Sequence, residues 1–485
     1  MDESNKFRYK NKFIHYCNYI TVEPTMILYM MAFMITSVVE QSFYIFKACT
    51  VNHGFNATLC HNINEPEYKN ITKEVQKTVA KFHIYNNIAG HFVPIVLAFF
   101  IGSWSDKRGR KSPLLIGLFG KLFFSLMIIV NSYKKEWPLE YVTITATLPS
   151  ALTGADVAIF ASALTYLIDV SSVKNRTIRV TILEVCYLAT MPIGVALGSY
   201  LFKYVLNKSY SYMFVINGSL MILSMLYSSF RLKWRSNPKQ KPLSEAKNKI
   251  LDFFDYNHVV ATTRVLSRKR SNNKRTYFWL LLIMMALYTF QRDEREIMFM
   301  YCQLTFNWAI EQFSIFRTVQ SGLQDVILLI AIPVMSKVLG FRDTVIIIIG
   351  ALAHTIARIF YFTADITMFY IGGVFASFGP IVAPVIRSLV SKIVPISEKG
   401  KAFAVLSVAD NAVPLISGTC YNALYQLCIN LNPGIIFFLT ASTQISVFLL
   451  ILYIHLKTDR NEFENENVVL EITDSTENDK LRQEM

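Results

Sequence analysis

The stretch Gly102-Ser103-Trp104-Ser105-Asp106-Lys107-Arg108-Gly109-Arg110-Lys111 lies between two apolar runs, 84–101 and 112–130, each long enough to cross a bilayer. A tight turn between two membrane helices needs a residue that tolerates positive φ, and Gly109 provides it. The carboxylate of Asp106 lies among cationic side chains, so it can be paired at the membrane surface. The stretch therefore predicts a charged hairpin that joins two membrane helices.

The chain is too apolar for a soluble domain, since 53% of its 485 residues are hydrophobic and 17% are charged. A spanning helix needs about 20 mostly apolar residues, and twelve such segments follow one another. They cover residues 24–46, 84–101, 112–130, 142–168, 180–205, 212–232, 277–301, 315–339, 344–362, 367–394, 403–427 and 435–456. The sequence therefore predicts an all-α membrane protein with twelve transmembrane helices.

The spacing of the segments predicts two six-helix bundles, 24–232 and 277–457, joined by a basic linker, 233–276. Part of the linker has the spacing of a helix that lies on the inner membrane surface, and the alternative is a solvated spacer. A basic tail, 1–23, precedes the first bundle. The acidic tail, 458–485, has the composition of a disordered segment.

Lysine and arginine concentrate in the first tail, the charged hairpin, the loop before the fifth segment and the linker. Cytoplasmic loops carry this excess, so we expect these regions and both termini in the cytosol. The formal net charge of +14 is then a signal of topology, and nucleic-acid binding is not predicted. The first segment is too long for a cleavable signal peptide and is expected to act as a signal anchor.

The loop 47–83 is the longest one predicted on the outer side. It contains the N-glycosylation sequons of Asn56 and Asn70, and a third sequon, at Asn207, follows the fifth segment. Among the seven cysteines, Cys60 and Cys302 both fall on this side, where disulfides persist. We expect these two to be paired; the alternative is that they are unpaired.

Ionisable residues inside spans are costly unless they face a polar cavity or a partner, so each marks a candidate site. The isolated ones are Glu40, His91, Asp156, Glu184, Arg317, Asp325, His354, Arg358, Arg387 and Asp410. The ordinary alternative for each is a structural ion pair or hydrogen bond. We take four as candidate substrate ligands: Arg387, whose planar fork suits carboxylates and phosphates, and Asp156, His354 and Asp410.

Two further roles follow from position. Glu184 is flanked by apolar neighbours that disfavour its charge, so it is predicted to gain and lose a proton in the physiological range. The run 292–296 interrupts the seventh segment, and Arg292 and Glu296 are predicted to form an outer gate; the alternative is an exposed helix end.

The eight histidines show no metal spacing and no phosphate-binding loop is present, so we predict neither enzyme activity, metal nor cofactor.

The stretch 102–111 resembles, at every fixed position, the signature G-x-x-x-D-x-x-G-R-[RK] of the major facilitator superfamily. Shorter runs are similar to the proton-coupled folate transporter and its relatives in the same solute carrier family. These runs are Val22-Glu23-Pro24, Glu74-Val75-Gln76, Leu183-Glu184, Pro384-Val385-Ile386-Arg387-Ser388 and Glu398-Lys399-Gly400. The resemblance spans nearly the whole chain.

The resemblance implies a monomeric proton symporter for organic anions in the plasma membrane or the lysosomal membrane. Glu184 would couple protons, Arg387 would bind substrate, and the cytosolic gate would comprise Asp106, Arg108, Gly109 and Arg110. Folate is the leading substrate, although Gln291 stands where the folate carrier has a histidine; cyclic dinucleotides, muropeptides and steroid conjugates are the alternatives. The rival function is a non-transporting sensor that keeps the carrier fold, and a membrane-embedded enzyme ranks third.

Overall fold

The structure is a computed structural model that describes residues 20–171, 173–236, 240–245, 248–255, 274–394 and 399–457. Most of the predicted basic tail, the later part of the linker and the whole acidic tail lie outside the described residues.

In the part of the chain that the structure describes, twelve long helices follow one another, and each corresponds to one predicted segment. They are α1 Glu23–Lys47, α2 Lys69–Arg108, α3 Lys111–Tyr133, α4 in two parts (Leu148–Ala151 and Ala155–Val170), α5 Val173–Tyr200, α6 Tyr210–Arg231, α7 in two parts (Lys274–Phe290 and Glu294–Phe306), α8 Ile310–Pro333, α9 Asp343–Phe362, α10 in two parts (Ile366–Ala376 and Val382–Ile393), α11 Lys399–Cys428 and α12 Ile436–Lys457. Ten of them are long and apolar enough to span a membrane. The other two, α7 and α11, carry charged and amide side chains described below. The prediction of an all-α protein with twelve helices is confirmed.

The loop that was predicted over 47–83 is shorter in the structure. After α1, a turn of π-helix ends at Asn52, a short helix covers Ala57–His61, and α2 begins at Lys69. The first turns of α2 are polar, but Val75, Val79 and Phe82 recur at helical spacing and are buried. The prediction was wrong here because an amphipathic helix that leaves the membrane lacks the continuous apolar run by which a span is recognised.

The chain divides into two compact units. Unit 1 comprises residues 1–259, 296–322 and 418–430, and unit 2 comprises residues 260–295, 323–417 and 431–485. Unit 1 therefore includes parts of α7, α8 and α11, because these helices contact α2 and the turn after α5. In unit 1, Gln76 donates to Gln303 Oε1 (2.9 Å) and accepts from Tyr425 (2.8 Å), and Lys203 pairs with Glu311. The bundle boundaries 24–232 and 277–457 stay a prediction.

Each unit has its own tightly packed interior. In unit 1, α5 lies directly against α1, and a Cβ added to Gly198 would stand 2.0 Å from the carbonyl oxygen of Ile35. Small residues at such crossings let membrane helices approach closely. In unit 2, α7, α9, α10 and α12 enclose an apolar core that includes Leu281, Ile347 and Val382, each 0% exposed. These interiors fix the helices that carry the polar residues below.

Candidate functional site

The charged hairpin between α2 and α3 has the geometry that its sequence predicts. Gly109 has φ +106°, a region that favours glycine. Arg110 pairs with Asp106 one turn away, and its Nε lies 3.2 Å from Asp169 Oδ2. Arg110 is thus held between two carboxylates of unit 1, and the gating role of the hairpin stays a prediction.

Arg108 of the hairpin binds a carboxylate of the linker that the sequence gave no reason to select. Its Nε and Nη2 lie 2.8 Å and 2.7 Å from the two oxygens of Asp252, and Trp104 Nε1 donates to the same carboxylate at 3.1 Å. The hydrogen bonds from Arg108 hold the pKa of the Asp252 carboxyl well below its usual range. A depressed pKa means that the contact is present above the unfolded pKa and lost only in strong acid. The ion pair between Arg108 and Asp252, which joins the short helix Lys249–Phe253 to the hairpin, is therefore expected to persist at neutral and mildly acidic pH.

Gly109→Ala is expected to lower the amount of folded protein. An alanine there would be strained by about 1–3 kcal/mol, because φ 106° and ψ 146° form a region that is nearly exclusive to glycine. Its Cβ would also stand 2.5 Å from the backbone oxygen of Trp234, which cannot move aside as a side chain could. The matched control is Gly54→Ala, since Gly54 has φ +70° with nothing within 4 Å of an added Cβ. Melting temperatures of the purified variants should fall further for Gly109→Ala; an equal fall in both would mean that the contact with Trp234 has no effect.

Two of the predicted substrate ligands meet in unit 2. Nη2 of Arg387, on the second part of α10, lies 3.2 Å from Oδ2 of Asp410 on α11. The hydroxyl of Thr289, at the end of the first part of α7, donates to Asp410 Oδ1 at 2.8 Å. The Arg387 side chain is 45% exposed and that of Asp410 is 16% exposed. The guanidinium therefore has an open side on which a second anion can bind.

A second ion pair of unit 2 is fully buried. Nη2 of Arg358 lies 3.0 Å from Oε1 of Glu294, and its Nε lies 3.3 Å from Oε2. Thr440 of α12 donates to the same carboxylate, and Gln291 Oε1 lies 3.4 Å from Arg358 Nη2. Glu294 follows the 3₁₀ turn that separates the two parts of α7. The sequence placed Glu294 among charges of its own helix, whereas the structure pairs it with α9.

His354 occupies a different position from the other predicted ligands. It lies one helical turn before Arg358 on α9, is 2% exposed, and stacks on Tyr288 with the ring centroids 6.0 Å apart. A side chain this enclosed is packed against protein and does not present itself to a solute. Its predicted role in substrate binding therefore gains no support from the geometry.

In unit 1, Asp156 forms a cluster with two residues that the sequence did not select. Nζ of Lys121, on α3, lies 2.9 Å from Asp156 Oδ1, and the hydroxyl of Tyr29, on α1, donates to the same oxygen. The Asp156 side chain is 43% exposed. Lysine at position 121 follows a glycine in an otherwise apolar helix, and this isolated charge was the signal that could have identified it.

The remaining predicted residues are dispersed. Glu184 of α5 and Arg292 of the 3₁₀ turn in α7 are exposed. Glu296, the predicted gate partner of Arg292, instead faces His83 of α2, with 3.5 Å between Oε2 and Nδ1. Among the described residues, no three histidine, cysteine, aspartate or glutamate side chains are arranged to hold a metal ion.

The predicted pairing of Cys60 with Cys302 is wrong in this structure. Cys60, on the short helix Ala57–His61, faces Cys49 with a Cα–Cα distance of 5.8 Å, within the range of disulfides. Cys302 is buried in the second part of α7 and has a free thiol. The short helix folds back on the end of α1, so the cysteine eleven residues away in the chain is the one within reach.

The chain is similar to known transporters in both sequence and fold. The model of the Major Facilitator Superfamily matches residues 25–332. The probable peptidoglycan muropeptide transporter SLC46 of Drosophila melanogaster is 23% identical, over 85% of this chain and 81% of its own length. The proton-coupled folate transporter of Bos taurus is 24% identical (87% and 88%), and the lysosomal proton-coupled steroid conjugate and bile acid symporter SLC46A3 of Gallus gallus is 23% identical (87% and 91%).

Solved structures agree on the fold. The inward-open xylose transporter XylE from E. coli superposes with a TM-score of 0.62 at 14% identity, covering 94% of this chain and 99% of that one. The human organic anion transporter MFSD10 gives a TM-score of 0.60 at 13% identity, covering 89% and 97%. This chain therefore belongs to the major facilitator superfamily, and within it is similar to the SLC46 transporters.

Proposed function

We propose that this protein is a proton-coupled secondary transporter that carries a bulky organic anion across a membrane by alternating access. The proposal is supported by the superfamily, whose members with this fold include transporters, and by relatives whose names describe proton-coupled transport.

The pair formed by Arg387 and Asp410 carries the proposal. A guanidinium stays charged at any physiological pH and offers a planar fork to carboxylates and phosphates. Asp410 holds one edge of Arg387 by a contact of 3.2 Å. A substrate anion competes with Asp410 for the guanidinium of Arg387, which it can approach from the exposed side. We assign the proton coupling to Glu184, the exposed carboxylate of α5 that the sequence predicts for this role.

The substrate class follows from the chemistry of the cargoes named for the relatives. Folates, muropeptides and bile acids all carry carboxylates on bulky frameworks, and steroid conjugates carry comparable anionic groups. A half-exposed arginine suits each of them. We propose an organic anion of this kind, with folate as the first candidate to test and cyclic dinucleotides as a further one.

We place the protein in the plasma membrane or the lysosomal membrane with both termini in the cytosol. The asparagines of the three outer sequons, Asn56, Asn70 and Asn207, are all exposed and accessible to a glycosyltransferase. The paired Cys49 and Cys60 lie in the same predicted outer region, where a disulfide persists. We propose that the sequons are glycosylated and that this cysteine pair is oxidised.

Acidification of the outer side is expected to stimulate uptake of at least one anion of the panel by about 5- to 100-fold over neutral pH. The panel comprises a folate, a muropeptide, a steroid sulfate, a bile acid and a cyclic dinucleotide, each labelled and supplied to cells that express the protein. A proton ionophore should abolish the stimulation.

Cells that express an Arg387→Ala/Asp410→Asn variant provide the matched background. Saturable binding of a panel member without accumulation would contradict transport and favour the non-transporting sensor. Accumulation that depends neither on pH nor on the ionophore would contradict proton coupling.

A further inference from the structure

In unit 1, a buried histidine lies close to a carboxylate, but neither group has a hydrogen to donate to the other. His83 of α2 is 1% exposed, and its Nε2 lies 3.1 Å from Oε1 of Gln41 on α1. An amide oxygen only accepts hydrogen bonds, so Nε2 carries the hydrogen and Nδ1 of the neutral ring has a lone pair. Nδ1 in turn faces Glu296 Oε2 at 3.5 Å. Two acceptors therefore point at each other.

Two amide side chains complete the same cluster. Asn87, one turn after His83 on α2, and Asn422 of α11 lie beside the Glu296 carboxyl. Among the described residues, four buried atoms of the cluster lack a hydrogen bond of good geometry: His83 Nδ1, Asn87 Nδ2, Glu296 Oε2 and Asn422 Oδ1. A buried polar atom that is left without a hydrogen bond destabilises the fold. A buried water typically makes about three hydrogen bonds to groups of this kind, so the cluster has the donors and acceptors that a hydrated proton requires.

The two carboxylates at the cluster favour one additional proton. Its walls come from α1, α2 and the parts of α7 and α11 that belong to unit 1. The titratable groups that face it are Glu40 and Tyr44 of α1, which are hydrogen-bonded to each other at 2.6 Å. The positive charge of Lys121, on α3, acts on Glu40 in the opposite sense. The carboxylates of Glu40 and Glu296 repel each other, and a proton shared by His83 and Glu296 relieves this repulsion.

We propose that His83 and Glu296, together with Asn87 and Asn422, form a binding site for one hydrated proton. The proton adds to the lone pair of Nδ1 or Oε2 and leaves from the same atom, so no other bond changes. The site itself stands on the geometry above. Its role as the site of a second coupled proton rests on the proposed function.

Infrared spectroscopy of the purified protein in lipid tests the site without any substrate. In pH difference spectra we expect a protonated-carboxyl band that is lost in Glu296→Gln and shifted to another pH in His83→Gln. Glu296→Asp should restore a titrating band. The matched control is Glu74→Gln, because Glu74 is an exposed carboxylate on the same helix as His83 and pairs with Lys77. Spectra in which Glu296→Gln keeps every titrating band of the wild type would overturn the proposal.

Transport measurements test the coupling role separately. Glu296→Gln should lower acid-driven accumulation about tenfold or more, while exchange of labelled for unlabelled solute at equal concentrations persists. Accumulation equal to that of the wild type would overturn the coupling role. If the wild type accumulates no solute, the proposed function fails, whereas the infrared result still decides the site.

Discussion

Arg387→Ala is expected to reduce transport of the organic anion by about 10- to 100-fold in kcat/KM, since hydrogen bonds to charged groups contribute about 1.5–3 kcal/mol each. Arg387→Lys keeps the charge but lacks the planar fork, so it should recover only part of the rate. Initial rates of uptake over a range of substrate concentrations measure both variants.

Asp410→Asn serves as the partner variant in this experiment. It removes the carboxylate charge that lies 3.2 Å from Arg387, so the KM for the anion should fall, whereas Arg387→Ala should raise it. Rates for Arg387→Ala that match the wild type at all pH values would remove Arg387 from the substrate site.

In the hairpin, contacts between residues that are close in the sequence could be predicted from the local pattern. Asp106 and Arg110 are four residues apart on neighbouring turns, and Gly109 needs its conformation because of the adjacent helix ends, so the sequence alone identifies all three. The contact between Arg108 and Asp252 spans 144 residues. It depends on where the linker docks, which no local pattern specifies.

The pairing of the intramembrane charges is likewise not specified by any local sequence pattern. Hydropathy selects Arg387 and Asp410 individually because each interrupts an apolar run, but their pairing depends on how α10 and α11 pack. Glu294 lies in a run of five charged residues that resembles an exposed helix end. Only the fold shows that Glu294 turns toward Arg358 while Arg292 turns outward.

The sequence did not identify His83 as a candidate site residue, for a related reason. The amphipathic first turns of α2 were assigned to a loop, and a histidine in a loop has no expected partner. The same error misplaced Cys60, because the shortened loop brings the short helix Ala57–His61 back to α1 and Cys49. Helix length outside the apolar run is thus the property that hydropathy predicted least well in this chain.

Glu294→Gln is expected to destabilise the protein by about 3–5 kcal/mol, because it leaves the guanidinium of Arg358 buried without its charged partner. Arg358→Met should be similarly destabilising, whereas the double variant Glu294→Gln/Arg358→Met removes both charges and should regain most of the loss.

The matched control is the pair of Lys77 and Glu74, whose atoms are 2.7 Å apart but whose side chains are 30% and 60% exposed. Exposed pairs contribute about 0.2–1 kcal/mol, so Glu74→Gln and Lys77→Met should change little. Thermal melting of the purified proteins compares the two sets, and single variants at position 294 or 358 as stable as the wild type would show that this buried pair does not hold α7 against α9.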